Sequence, residues 1–203
     1  EPGLKTGLPT WRWFGLAALL LALLLVGLGR APLFDVDEGA FSEATREILS
    51  SADWGHTTLH GADRFDKPIG VYWLQAASAS VFGLNEWAVR LPSALATWLA
   101  SLALGAFVAG RLGARAGALA AVIHATSFGS WAMAHAATAD ALLGLWLVLS
   151  ALDLWRYLEH DDRQALRRLG AWVGLGLLVK GPVAVLIPLA ALLLSCLAAR
   201  QWR

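Results

Sequence analysis

The chain has 203 residues, of which 58% are hydrophobic, and a formal net charge of +1, with a mean hydropathy of +0.58. That composition is far from a soluble domain's, and a near-neutral charge without any basic, aromatic-interleaved stretch gives no case for a nucleic-acid partner. Leucine and alanine recur in blocks of membrane-spanning length, so the expectation is an all-α membrane protein; the single cysteine, Cys196, lies in an apolar run and can form no intrachain disulfide.

The first expected span covers residues 11–29, "WRWFGLAALLLALLLVGLG". Lys5 and Arg12 precede it, and Trp11, Trp13 and Phe14 form an interfacial aromatic belt. No small-residue cleavage site follows, so the segment reads as a retained anchor. Residues 30–86 read as a periplasmic loop with amphipathic juxtamembrane helices. Within it, residues 30–67 hold eight of the fifteen acidic residues. "DEGAFSEATREILSS" puts Phe41, Ala44 and Ile48 on one helical face and Glu43, Arg46 and Glu47 opposite. Residues 53–63 read as loop. Pro68 then suits the start of a helix ending at Gly83. That helix would reach about 22 Å, short of a bilayer core of about 30 Å.

Further spans are expected at residues 87–109, 116–133 and 139–157, with two more in residues 166–199 divided at "KGP". The total is about six transmembrane helices. With a cytoplasmic N-terminus, Arg111, Arg115, Arg163, Arg167 and Arg168 fall inside, as do Arg200 and Arg203 if "KGP" is a break. The acidic loop, "HAATAD" and "KGP" then collect on the outer side. A start at Glu1 and an ending in "RQWR" suggest a piece of a longer chain.

Each polar candidate has a structural reading beside a chemical one. Asp37 would cap the acidic helix and Glu38 favour its dipole, yet Asp35, Asp37 and Glu38 crowd one corner, and adjacent carboxylates suit a general base. Asp66 and Lys67 would form a local ion pair capping the Pro68 helix. Alternatively, Lys67 is a fixed cation at lipid-headgroup depth, with Asp66 orienting it or binding a divalent metal. Asp140 would cap the fourth span, and Lys180 would snorkel to the interface. Arg90, Asp153 and Arg156 read as boundary charges. His56 and His60 are four residues apart in a loop and His124 is mid-span; none is assigned a role.

"DEGAFSEATREILSSADW", "RFDKPIGVYWLQAASASVFGLNEWAVRLPSAL", "ATAD" at 137–140 and "GLLVKGPVAVLIP" stand in an order and spacing that resembles the polyprenyl-phosphate-sugar-dependent glycosyltransferases of the GT-C type. That family includes the protein O-mannosyltransferases and the lipid A aminoarabinose transferases of Gram-negative bacteria; the "DKP" helix and early "DE" look closest to the latter. The resemblance implies that Asp37, with Glu38 and Asp140, is catalytic and that Lys67 and Lys180 contact the donor phosphate. It further implies that Asp66 is one ligand of a divalent metal ion (Zn, Mg or Mn), whose partner ligand lies in a further part of the protein. The implied partners are a polyprenyl-phosphate-linked sugar donor, the bilayer, and an acceptor that is lipid A, another envelope glycan or a protein. The implied location is the inner membrane, multi-pass, with a periplasmic active face. A transporter or flippase of lipid-linked substrates also carries intramembrane charges and broken helices, but places them near the midplane rather than at one face. A non-catalytic membrane subunit would not need this set of acids and lysines.

Overall fold

The computed structural model describes residues 10–34 and 36–198. Lys5, Asp35, Arg200, Arg203 and the side chain of Trp11, all invoked above, lie outside it. Among the described residues the chain is helical apart from one two-stranded hairpin. Its elements are α1 (Thr10–Leu25), α2 (Asp37–Ser51), β1 (Thr58–Leu59), β2 (Ala62–Asp63), α3 (Gly70–Phe82) and α4 (Glu86–Leu112). They continue with α5 (Ala114–Thr126), α6 (Phe128–Ala134), α7 (Asp140–His160), α8 (Arg163–Lys180) and α9 (Val183–Ala198).

Helix α4 is the hub, packing against α1, α3, α5, α6 and α7, while α8 and α9 pack on α7 and α2 lies against α3. Small residues allow the closest of these approaches. A Cβ on Gly117 would stand 2.4 Å from the Ala109 Cβ and 2.5 Å from the Gly105 carbonyl oxygen, so α4 and α5 meet nearly backbone to backbone. Phe41, Ala44 and Ile48 of α2 are buried in one core with Val71 and Tyr72 of α3 and Leu142, Leu143 and Leu145 of α7. The helical period read from the sequence therefore identifies the packed face of α2. Large apolar side chains elsewhere face outward: Phe128 is 85% exposed and Leu194 65%, as expected of surfaces that meet lipid rather than water.

Among the described residues two helices, α4 with 27 residues and α7 with 21, are long and apolar enough to cross a bilayer; α1 and α9 are apolar but shorter. The expected span at 116–133 is divided at Ser127, an extended residue at φ −61°, ψ 139°. Its hydroxyl donates to the His124 carbonyl at 3.0 Å and meets the Ser130 hydroxyl at 3.0 Å, a local bond that competes with the helix. The first helix stops at Leu25, and Gly27, at φ 79°, lies in the turn that follows it. The break at "KGP" falls where expected, between α8 and α9.

Two further expectations are corrected. Residues 53–63 contain the β1–β2 hairpin, whose two-residue turn is His60 at φ 54° and Gly61 at φ 76°, the positive pair that a type I′ turn requires. Glu47 fastens that turn to α2 by accepting from the Thr58 hydroxyl and the Gly61 N–H. Helix α3 begins at Gly70, not Pro68, and no side chain caps it. Gly70 lies against α8, where a Cβ would stand 2.6 Å from the Leu178 carbonyl oxygen.

Candidate active site

The start of α2 is organised by a buried ion pair. Glu38 is 1% exposed and Arg90, on α4, 2%. Arg90 donates from Nε to Glu38 Oε1 at 2.9 Å and from Nη2 to Oε2 at 2.8 Å. Its remaining donors reach the carbonyls of Leu28, Ala31 and Pro32 at 2.7–2.9 Å. Glu38 also accepts from the Phe34 N–H at 2.8 Å and the Ala137 N–H at 2.5 Å. Four donors fill the carboxylate's lone-pair sites, and through them Glu38 ties the α2 start to α4 and to the segment before α7. Arg90 is no boundary charge. Asp153 is also buried, accepting from Arg156, Arg168 and Trp172 at 2.7–3.0 Å. Partners on other helices make such burial tolerable.

Asp37, beside this pair, is exposed and occupies the first turn of α2 without capping it. No hydrogen bond or ion pair occupies its carboxylate among the described residues. Asp140 opens α7, but no side chain caps that helix either, Ala139 being its N-cap residue. Instead the Asp140 carboxylate pairs with Lys180 at the end of α8 and meets the Thr138 hydroxyl at 3.4 Å. Lys180 is therefore held by a partner rather than snorkelling alone.

At the start of α3, Lys67 Nζ donates to Asp66 Oδ2 at 3.0 Å. The same oxygen accepts from Arg64 Nη2 at 3.1 Å. The Lys67 hydrogen bond, followed by the charges of Lys67 and Arg64, holds the Asp66 carboxyl below its ordinary range. The "KGP" break lies beside the segment that precedes α3: a Cβ on Gly181 would be 4.0 Å from the Pro68 ring. Glu38 joins α2 to Ala137, Asp140 holds Lys180, and Gly181 lies beside Pro68, so the segments that carry Asp37, Lys67, Asp140 and Lys180 are linked in series. Lys67 and Lys180 are the two cations these segments offer to an anionic group, each shared with a carboxylate, Asp66 and Asp140, and Asp37 is the exposed carboxylate at the start of α2. Arg64, to which the sequence reading gave no role, belongs here as well; its only signal was its place two residues before Asp66.

The described donors do not make a metal site at Asp66. Its carboxylate faces two cations, which oppose a divalent ion, and it is in no group of three ligand side chains. The group that does come together among the described residues is Glu43, Glu47 and His60, with ligand atoms within 4.8 Å of one another. Its carboxylates are engaged too, Glu43 in a two-point contact with Arg46 and Glu47 with the hairpin.

The Glu38 geometry has a consequence for pH. Burial pushes its carboxyl up, but the hydrogen bonds from Arg90, Phe34 and Ala137 and the Arg90 charge outweigh this, leaving it below the ordinary 4.5. A carboxyl depressed on folding is protonated more readily in the unfolded chain. Its contribution is thus complete above the unfolded value and lost as pH falls through the folded one. The thermal midpoint in detergent is expected to fall below pH ~4.5, with a smaller acid limb in Glu38→Gln. Parallel profiles for parent and variant would exclude Glu38 as the source.

Comparison with known proteins gives this arrangement a setting. The chain is 32% identical over 199 residues to the undecaprenyl phosphate-alpha-4-amino-4-deoxy-L-arabinose arabinosyl transferase of Edwardsiella ictaluri, covering 94% of this chain and 36% of that protein. A Pseudomonas fluorescens protein described by the same name, numbered 1, is 33% identical over 192 residues, covering 90% and 33%. The chain thus spans about a third of the length of the curated relatives it matches. The crystal structure of ArnT from Cupriavidus metallidurans in the apo state superposes with a TM-score of 0.87 at 27% identity, covering 95% of this chain and 37% of that one. The structure of the same protein bound to undecaprenyl phosphate gives 0.87 at 26% identity, covering 96% and 37%. Residues 66–203, more than half of the chain, match the family described as dolichyl-phosphate-mannose-protein mannosyltransferase, and the chain belongs to that family.

Proposed function

We propose that this chain is the catalytic-face portion of an inner-membrane glycosyltransferase. It would move a sugar from a polyprenyl-phosphate donor to a periplasmic acceptor: lipid A, another envelope glycan or a protein. The observation that carries the proposal is the approach of the segments bearing Lys67 and Lys180, Gly181 lying beside Pro68, together with the exposed Asp37 at the start of α2. The likeness to a protein solved with undecaprenyl phosphate supports the donor class. The proposed arrangement in the membrane is six spans, with α5 and α6 together forming the third and α8 and α9 the last two.

The chemistry follows from the charges. Breaking the bond between the sugar's anomeric carbon and the phosphate oxygen leaves the electron pair on polyprenyl phosphate. Fixed cations stabilise that developing charge: Lys67 at the start of α3 and Lys180 at the end of α8. Asp140 holds Lys180 in place. Asp37 takes the proton of a hydroxyl acceptor as general base; with a phosphate acceptor, already nucleophilic, it positions groups instead. No step is assigned to a divalent ion.

The test uses the intact protein in proteoliposomes with a mixture of lipid-phosphate sugars, following release of free polyprenyl phosphate with and without acceptor. Acceptor-dependent release establishes transfer and identifies the donor. Movement of the same lipids across the bilayer without release would replace this reading with transport. Lys67→Ala is expected to raise the donor KM by roughly tenfold or more, the loss of one charge-assisted contact, with a smaller effect on acceptor KM. An unaltered donor dependence would remove Lys67 from the phosphate site.

A further inference from the structure

We infer that Arg64 is a positioning residue of the phosphate site, holding Asp66 so that this carboxylate does not neutralise Lys67. The inference rests on the proposed role of Lys67 toward the donor phosphate.

Arg64 lies between the hairpin and α3, and its side chain is 15% exposed. Its guanidinium is fixed from three directions. Nε donates to the Tyr72 hydroxyl at 3.0 Å, Nη2 donates to Asp66 Oδ2 at 3.1 Å, and the group lies over the Phe41 ring at 5.8 Å. Phe41 and Tyr72 are themselves core residues in contact, with ring centroids 5.5 Å apart. The planar fork is therefore anchored to both α2 and α3 before it reaches the carboxylate.

Charge balance gives this anchor its purpose. Asp66 and Lys67 alone would be a neutral pair at 3.0 Å, and an incoming phosphate would have to displace a carboxylate from its cation. With Arg64 on the same oxygen, two cations share one carboxylate and the cluster carries one positive charge. Lys67 can then turn from Asp66 to the phosphate without stranding an unpaired carboxylate. The neighbouring pair differs: Lys180 is matched one to one by Asp140. Arg64 thus offsets the Asp66 carboxylate without touching the ligand. Arginine suits this task better than lysine, since its fork can bind a carboxylate and a phenol at once.

The test is equilibrium binding of undecaprenyl phosphate to the intact protein in detergent, with a double-substitution comparison. Arg64→Gln is expected to weaken binding by roughly tenfold, and Arg64→Lys, which keeps the charge, by about threefold or less. In an Asp66→Asn background no carboxylate remains to be held, so adding Arg64→Gln should change binding less than about twofold. An equal loss in both backgrounds would make Arg64 a scaffold residue or a direct ligand and overturn the inference, as would an Arg64→Gln protein that binds like the parent. Should Arg64→Gln not fold, Tyr72→Phe releases Nε while keeping charge and ring. Its smaller loss must likewise vanish with Asp66→Asn, or the inference fails. A parent protein that binds no polyprenyl phosphate would overturn the donor reading itself, and this inference with it, an outcome separable from a parent that binds and an Arg64 variant that does not differ.

Discussion

Asp37→Asn is expected to lower acceptor-dependent release of polyprenyl phosphate by about 10²–10⁴-fold, the usual contribution of a positioned general base. Asparagine keeps the shape of the side chain and removes its basic oxygen. Asp37 is exposed at the first turn of α2 and nothing described occupies its carboxylate, so the substitution should leave folding almost untouched, within roughly 0.5 kcal/mol. A small loss from the helix dipole, a few tenths of a kcal/mol, is included in that range. The size of the loss separates the two acceptor chemistries: a hydroxyl acceptor needs the base and loses the full factor, whereas a phosphate acceptor is already nucleophilic and loses less. Full activity in a well-folded Asp37→Asn protein would remove the residue from the mechanism.

Arg90→Ala is expected to destabilise the protein by about 3–5 kcal/mol, because it strands the buried Glu38 charge. The carbonyls of Leu28, Ala31 and Pro32 lose their donors in the same step. Activity should disappear with stability, since the α2 start that presents Asp37 is tied down by this pair. The combined Glu38→Gln and Arg90→Met protein tests the electrostatic part. Removing both charges should recover much of the lost stability, whereas activity should remain low because the α2 start is no longer tied to α4. Thermal midpoints of the single and double variants in detergent decide the matter. An Arg90→Ala protein as stable as its parent would show that the pair contributes nothing to the fold.

The sequence by itself determined the class of the molecule and marked the segments that carry its rare charges. Composition and block length required apolar helices, and the 3.6-residue period identified Phe41, Ala44 and Ile48 as the packed face of α2. The "KGP" break was legible because glycine and proline act locally, and the acidic and lysine-bearing segments stood out because charge is rare in such a chain. Helix ends were read less well. Helix α3 starts at Gly70, which lies against Leu178 on α8, and the helix break at Ser127 is accompanied by hydrogen bonds that neither composition nor periodicity displays.

Only the tertiary structure decided the partners of individual charges. Glu38 finds Arg90 fifty-two positions away and Ala137 ninety-nine away, and Asp140 finds Lys180 at forty. From local context Glu38 and Asp37 are interchangeable neighbours, and Arg90 is one more arginine near a helix end. Folding buries one acid of the pair against a cation and leaves the other in solvent. The physical reason is that propensity and hydrophobic period are properties of neighbouring residues, whereas whether a charge is satisfied or free depends on which distant segment packs against it.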